Sequence, residues 1–121
     1  MTSATIVRTN QKKNYSDSVE HNGVVYLRGC TPDDRSGDLA DQTRQVLAGL
    51  DALLAAAGTS KSALLSATIY LRDIDEREKM NQLWSEWVDS NNVPARATVG
   101  VSGLGTSDCR IEISVTAAKL G

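Results

Sequence analysis

Two ionisable residues on neighbouring stretches offer this chain its most specific chemistry. Arg96 lies in Pro94-Ala95-Arg96-Ala97-Thr98-Val99-Gly100-Val101, and Glu112 in Arg110-Ile111-Glu112-Ile113-Ser114-Val115. A guanidinium is a planar fork that grips a carboxylate through two parallel hydrogen bonds. A carboxylate held nearby can orient water or move a proton. Together they would make a site for a small organic acid. Arg72 is a candidate second cation, with an ordinary surface or interface ion pair as its plainer use. Cys30 would be a nucleophile only if its pKa were lowered. No histidine lies near it in sequence, the only one being His21, so a passive lining role competes. Cys30 and Cys109 lie far apart and form no metal-ligand spacing, so no metal site is expected. In a reducing compartment both would be free thiols.

The elements that must position Arg96 and Glu112 alternate with a period of two, the pattern of strands. Ala97, Val99 and Val101 oppose Arg96, Thr98 and Gly100, while Ile111, Ile113 and Val115 oppose Arg110, Glu112 and Ser114. Ser102 to Asp108 between them is turn chemistry with two glycines. The expectation is two neighbouring strands which, if paired, carry Arg96 and Glu112 on one polar face. Upstream, Ala4 to Thr9 reads as a short strand. Asn22-Gly23 is a type I′ hairpin signal, and Val24 to Arg28 follows it as a strand. Gly29 to Gly37 reads as a loop.

Asp38 to Ala57 has the strongest helical period, with Leu39, Thr43, Val46, Leu47, Leu50, Leu53, Leu54 and Ala57 on one stripe. Ser36 or Asp38 could cap its start, and Gly58 suits the left-handed position after its end. Ala63 to Arg72 alternates again, with Leu65, Ala67, Ile69 and Leu71 on one face. A second helix opens at Asp73-Ile74-Asp75, where Asp75 and Glu78 have capping-box spacing. Its buried stripe is Met80, Leu83, Trp84, Trp87 and Val88. Pro94 then forces an extended entry to the Arg96 strand. Two helices against one mixed sheet is α+β or α/β logic.

A chain of 121 residues has the length of one domain, spanning 1–121. Its net charge of −2 argues against a general nucleic-acid binder. The two tryptophans therefore read as core bulk rather than a stacking platform for bases. No apolar run is long enough to span a bilayer, and the N-terminus carries no signal-peptide core, so a cytoplasmic protein with no membrane partner is expected.

Pro94-Ala95-Arg96-Ala97-Thr98-Val99, with Ile111-Glu112-Ile113 downstream, resembles the signature of the Rid family, also called the YjgF family. The resemblance runs from about Tyr15 to the end of the chain. It implies an α+β, chorismate-mutase-like single domain, a mixed β-sheet with two helices packed on one face. It also implies a homotrimer around a central β-barrel, with pockets in the clefts between subunits. By the same resemblance Tyr15 lies at the pocket entrance, Gly29 and Cys30 line the pocket through their backbone, and Asn81 sits at the rim. Tyr15 could equally cover a sheet edge, and Asn81 could equally be a solvated helix residue. The family's usual Ser-Gly-Gln is here Arg28-Gly29-Cys30, and Gly103-Leu104-Gly105 stands where a Leu-Pro is usual. Both departures suggest a divergent subgroup.

Three functions fit these residues. The first, implied by the resemblance, is a hydrolase of reactive 2-imino acids or their enamine tautomers, giving 2-keto acids and ammonia. Arg96 would hold the substrate carboxylate, and Glu112 with a backbone carbonyl near Gly29-Cys30 would orient water. No cofactor is needed, because an imine is already electrophilic; an aminomuconate-type enamine is one candidate substrate. The second is a non-catalytic module that binds small carboxylates in the same cleft. The third is a structural protein in which Arg96 and Glu112 form an interface ion pair.

Overall fold

Asn22 and Gly23 both take positive φ, 53° and 80°, as a two-residue type I′ turn requires. They join β2 (Ser18–His21) to β3 (Val24–Leu27) in an antiparallel hairpin. The computed structural model describes residues 5–120. Within it β1 (Val7–Thr9) pairs with the outer side of β2. The expected first strand is thus shorter than Ala4 to Thr9, and Ala4 lies outside the described residues. The remaining strands are β4 (Leu64–Leu71), β5 (Ala95–Gly100) and β6 (Ile111–Ala118).

The six strands form one sheet in the order β1-β2-β3-β6-β4-β5, antiparallel throughout except for the β4–β5 pair. This mixed α+β architecture agrees with the expected fold and corrects the expected pairing. β5 and β6 are not neighbours, because β4 lies between them. Parallel β4 and β5 need a crossover, and the helix between them supplies it.

α1 (Leu39–Ala56) and α2 (Arg77–Trp87) cover one face of the sheet. Asp38 caps α1, its carboxylate accepting from the Asp41 N–H at 3.0 Å. Gly58 takes φ +80° past the last turn, and the Lys119 ammonium donates to the Ala57 carbonyl at 3.1 Å. The proposed capping box at Asp75 and Glu78 does not form. Ile74–Glu76 is a short 3-10 turn instead, capped by Asp73, which accepts from the Asp75 N–H at 3.0 Å.

Leu39, Leu50 and Leu54 from α1, Met80 from α2, and Ile69, Leu71, Ile111 and Ile113 from the sheet are fully buried together. Each such side chain contributes roughly 1.5–3 kcal/mol relative to exposure. One expected core position is displaced. The β4–β6 register shifts between Leu64 and Ser66, so Leu64 is buried and Leu65 is 47% exposed on the opposite face. Such a bulge turns one residue out of the alternation.

Candidate functional site

Glu112 reaches its position through β6, whose Ile111, Ile113 and Val115 are buried under the helices. The period of two turns Glu112 to the open face of the sheet, where it registers with Tyr70 of β4. A second irregularity lies beside it. Tyr26 pairs with Thr116 and Cys30 bridges Ile113, so four residues on the β3 side span three on β6. Bulges of this kind re-aim side chains next to functional sites. The extra residue is absorbed around Arg28-Gly29, and the Glu112 carboxylate lies against the Gly29 α-carbon. A Cβ on Gly29 would collide with Glu112 Oε2 and stand 3.0 Å from its Cδ. Glycine is needed there for space.

Tyr15, Arg28, Gly29, Thr31 and Glu112 line a surface cavity of about 350 Å³. Arg28 donates through Nε to Asp17 Oδ1 at 2.8 Å and through Nη1 to the Gly29 carbonyl at 3.1 Å. Lys12 also bonds Asp17, at 3.2 Å. The Arg28 hydrogen bond, helped by Asn10 and Lys12, holds the Asp17 carboxyl down at about 2. Cys30 offers the cavity less than expected. Its N–H and C=O both bond Ile113, at 2.8 and 3.0 Å. Its thiol is buried, facing the Val46 carbonyl at 3.6 Å. Burial pushes that thiol's pKa up, with Arg28 pulling the other way. A raised pKa disfavours the thiolate, so Cys30 is a poor nucleophile.

Arg96 lies elsewhere. It registers with Ala67, a helix-facing residue of β4, so Arg96 and Thr98 point to the helix face of edge strand β5. The Arg96 guanidinium carbon sits 5.6 Å from the centroid of the Trp84 ring, a cation–π distance. Asn81 is on the same side of α2 as Trp84, three residues earlier. The Asn81 Oδ1 and Thr98 Oγ1 atoms are buried without a hydrogen-bond partner among the described residues. The helix face of β5 therefore carries a guanidinium and the unsatisfied Thr98 oxygen.

The expected sharing of one face by Arg96 and Glu112 is corrected. They lie on opposite faces, two strands and three residues apart in register, or ~14 Å between α-carbons from strand geometry. Neither makes a hydrogen bond or ion pair among the described residues. The expected site residues thus divide into two groups. Tyr15, Gly29 and Glu112 line one cavity, with the Cys30 backbone behind them, while Arg96 lies at the β5 edge over Trp84, on the side of α2 that also carries Asn81. Arg72 is in neither group; it donates to the Ser107 carbonyl.

Sequence reasoning missed Asp17, Thr31 and Thr98 as site residues, and took Arg28 only as a departure from a motif. The Asn22-Gly23 hairpin register places Asp17 directly opposite Arg28, a cross-strand opposite-charge pair readable in advance. Gln42 was also missed. It is fully buried. Its amide donates to the carbonyls of Arg35, Gly37 and Asp108 at 3.1, 3.2 and 3.0 Å, and its oxygen accepts from the Arg110 N–H at 2.8 Å. It thereby ties the loop after Thr31 to the start of β6, two residues before Glu112. Among the described residues no group of three or more His, Cys, Asp and Glu is arranged for a metal. No described helix is long and apolar enough to cross a membrane.

The sequence model of one family, described as endoribonuclease L-PSP, matches residues 5–119. A RutC family protein of Haemophilus ducreyi is 39% identical over 113 residues, covering 93% of this chain and 96% of its own. The RutC family protein YoaB of Escherichia coli is 39% identical over 114 residues, covering 94% and 98%. A solved YjgF-family structure from Neisseria meningitidis superposes with a TM-score of 0.90 at 38% identity, covering 97% of each chain. A Rid-family protein of unknown function from Yersinia pestis superposes with a TM-score of 0.85 at 31% identity, covering 96% and 99%.

Proposed function

This chain belongs to the endoribonuclease L-PSP family, the YjgF/Rid proteins, and from that premise we propose that it hydrolyses 2-imino acids or their enamine tautomers. The site is composite: the Arg96 edge of one copy closes against the Glu112 cavity of another. One observation carries this reading. Among the described residues neither Arg96 nor Glu112 has an ion-pair partner, and the two are too far apart in one protomer to hold one small molecule. A second copy supplies what each half lacks.

The open sheet face supports such an assembly. Tyr26, Leu65 and Val99 are 49%, 47% and 40% exposed there, alongside the small residues Ala95 and Ala97 of β5. An apolar face of this kind is an interaction surface. A homotrimer closes it into a barrel and leaves three clefts, each with one Arg96 and one Glu112. The number three rests on the family resemblance.

In each cleft Arg96 takes the substrate carboxylate by its fork, and the Trp84 ring holds the guanidinium in line. Glu112 takes a proton from water as the oxygen attacks the imine carbon, forming a carbinolamine. It passes that proton to the nitrogen. It then carries the carbinolamine hydroxyl proton to the same nitrogen as the C=O forms and the C–N bond breaks, and ammonia and the 2-keto acid leave. The Gly29 carbonyl already accepts from Arg28 and the Cys30 carbonyl from Ile113, so Glu112 carries most of the water positioning.

The family's endoribonuclease name finds little support in this chain. His21 stands at the far end of the sheet from Glu112: it registers with Val24, which pairs with Ala118, six residues along β6. A coupled assay tests the deaminase reading. An amino-acid oxidase generates imino acids, and ammonia and keto-acid formation are followed with and without the protein. Acceleration supports deamination; Arg96-dependent binding without acceleration supports a carboxylate-binding module instead.

A further inference from the structure

Arg28 stands in the Glu112 cavity with its geometry already fixed. Its side chain is 33% exposed. The Nε bond to Asp17 and the Nη1 bond to the Gly29 carbonyl set the plane of the guanidinium. The remaining terminal nitrogen, Nη2, donates to no oxygen among the described residues. Lys12 and Arg28 share the single carboxylate of Asp17, so this cluster keeps one positive charge in excess. An acidic group entering the cavity meets a held guanidinium donor whose charge faces the Glu112 carboxylate across the same cavity.

We propose, resting on the deaminase reading, that Arg28 is a specificity residue for a second carboxylate, and that the preferred substrates are dicarboxylic 2-imino or enamine acids. The two acid groups of such a substrate would be gripped at opposite ends, the α-carboxylate by Arg96 of one copy and the distal carboxylate by Arg28 of the other. The imine carbon lies between them, beside Glu112. Because Asp17 and Gly29 already hold the guanidinium, little rotamer freedom is lost when it binds. A neutral side chain in the same place leaves Nη2 unpaired and partly desolvated, which is how polar pockets reject apolar analogues. The charge also offsets repulsion between the distal carboxylate and Glu112.

The test compares imino acids made by oxidases from glutamate and from leucine. In parallel, calorimetry measures binding of 2-ketoglutarate and of 2-ketobutyrate, a readout that needs no turnover. The wild type is expected to prefer the dicarboxylic member of each pair by about tenfold or more. Arg28→Gln is expected to abolish that preference, lowering the dicarboxylate values several-fold more than the monocarboxylate values. Arg28→Lys keeps a charge beside Asp17 without the fork and is expected to recover only part of it. A wild type without preference, an Arg28→Gln protein that weakens both members equally, or an Arg28→Lys protein with full preference would each overturn the assignment. Turnover without preference removes the Arg28 role and leaves deamination standing. An Arg28-dependent binding preference with no turnover upholds the selectivity and removes deamination.

Discussion

The Glu112 carboxylate occupies the space that a side chain on Gly29 would fill, its Cδ lying 3.0 Å from where a Cβ would stand. The glycine and the acid are therefore one feature. The bulge between β3 and β6 brings the Gly29 backbone beneath Glu112, and the missing side chain lets the carboxylate lie against it.

Gly29→Ala follows from that contact. The added methyl must displace the Glu112 carboxylate, and a misplacement of about 1 Å costs on the order of 100-fold in rate. Turnover is expected to fall at least ~10-fold, with oligomeric state and ligand binding through Arg96 retained. Steady-state kinetics beside a melting curve check this. A wild-type rate would mean that Glu112 need not sit where it does.

Glu112→Gln keeps the shape and removes the base. Loss of a general base typically costs 10²–10⁴-fold, so turnover should fall by about that factor while 2-keto acid binding changes only a few-fold. Equal losses in both would assign Glu112 to binding. A lowered melting temperature with intact turnover would assign it to structure.

Asp17 gives a pH dependence with a definite sign. Arg28 holds its folded pKa at about 2, below the ordinary 3.8. A depressed carboxylate pKa contributes stability that is present above the unfolded value and lost as pH falls through the folded one. That stability should decline between about pH 4 and pH 2, by on the order of 1–2 kcal/mol after allowance for solvent screening. Asp17→Asn should be less stable at pH 7 and should flatten the curve across that window. Thermal melts at half-unit pH steps measure both effects.

Gln42 joins the fold to the site. Replacing it with Leu leaves three carbonyls and the Arg110 N–H without their partner. Each buried polar group left unsatisfied costs about 1–3 kcal/mol, less where water can enter. A total of about 2–4 kcal/mol is expected in urea unfolding, with a further loss of turnover from the loosened start of β6. An unchanged denaturation midpoint would remove Gln42 from this role.

Much of the fold was legible because local rules decide it. Asn22-Gly23 dictated the hairpin, the α1 stripe its buried face, and Gly58 the helix end. Alternation also gave the correct faces within β5 and β6 separately. It could not say that β4 runs between them, because strand order is a long-range property on which two-residue periodicity is silent. That one insertion, with the parallel register of β5, moved Arg96 to the opposite face from Glu112. The bulges at Leu65 and near Gly29 were hidden for a similar reason: a one-residue slip shows only against a partner strand. The Glu112–Gly29 contact and the buried polar knot at Gln42 depend on such pairings. The Asp17–Arg28 pair followed from the hairpin register alone.

Subunit complementation tests the composite site most directly. Arg96→Ala and Glu112→Gln proteins are each expected to be inactive alone, since every cleft lacks one half. Co-expressed, they form mixed oligomers in which some clefts draw Arg96 from one copy and Glu112 from another. With random assortment of equal amounts, roughly a quarter of the clefts recover both groups. A composite site therefore returns roughly a quarter of the wild-type rate from two inactive parents. If the mixed oligomers form and the rate stays at the level of the parents, Arg96 and Glu112 must act from the same chain, and the interfacial site is wrong.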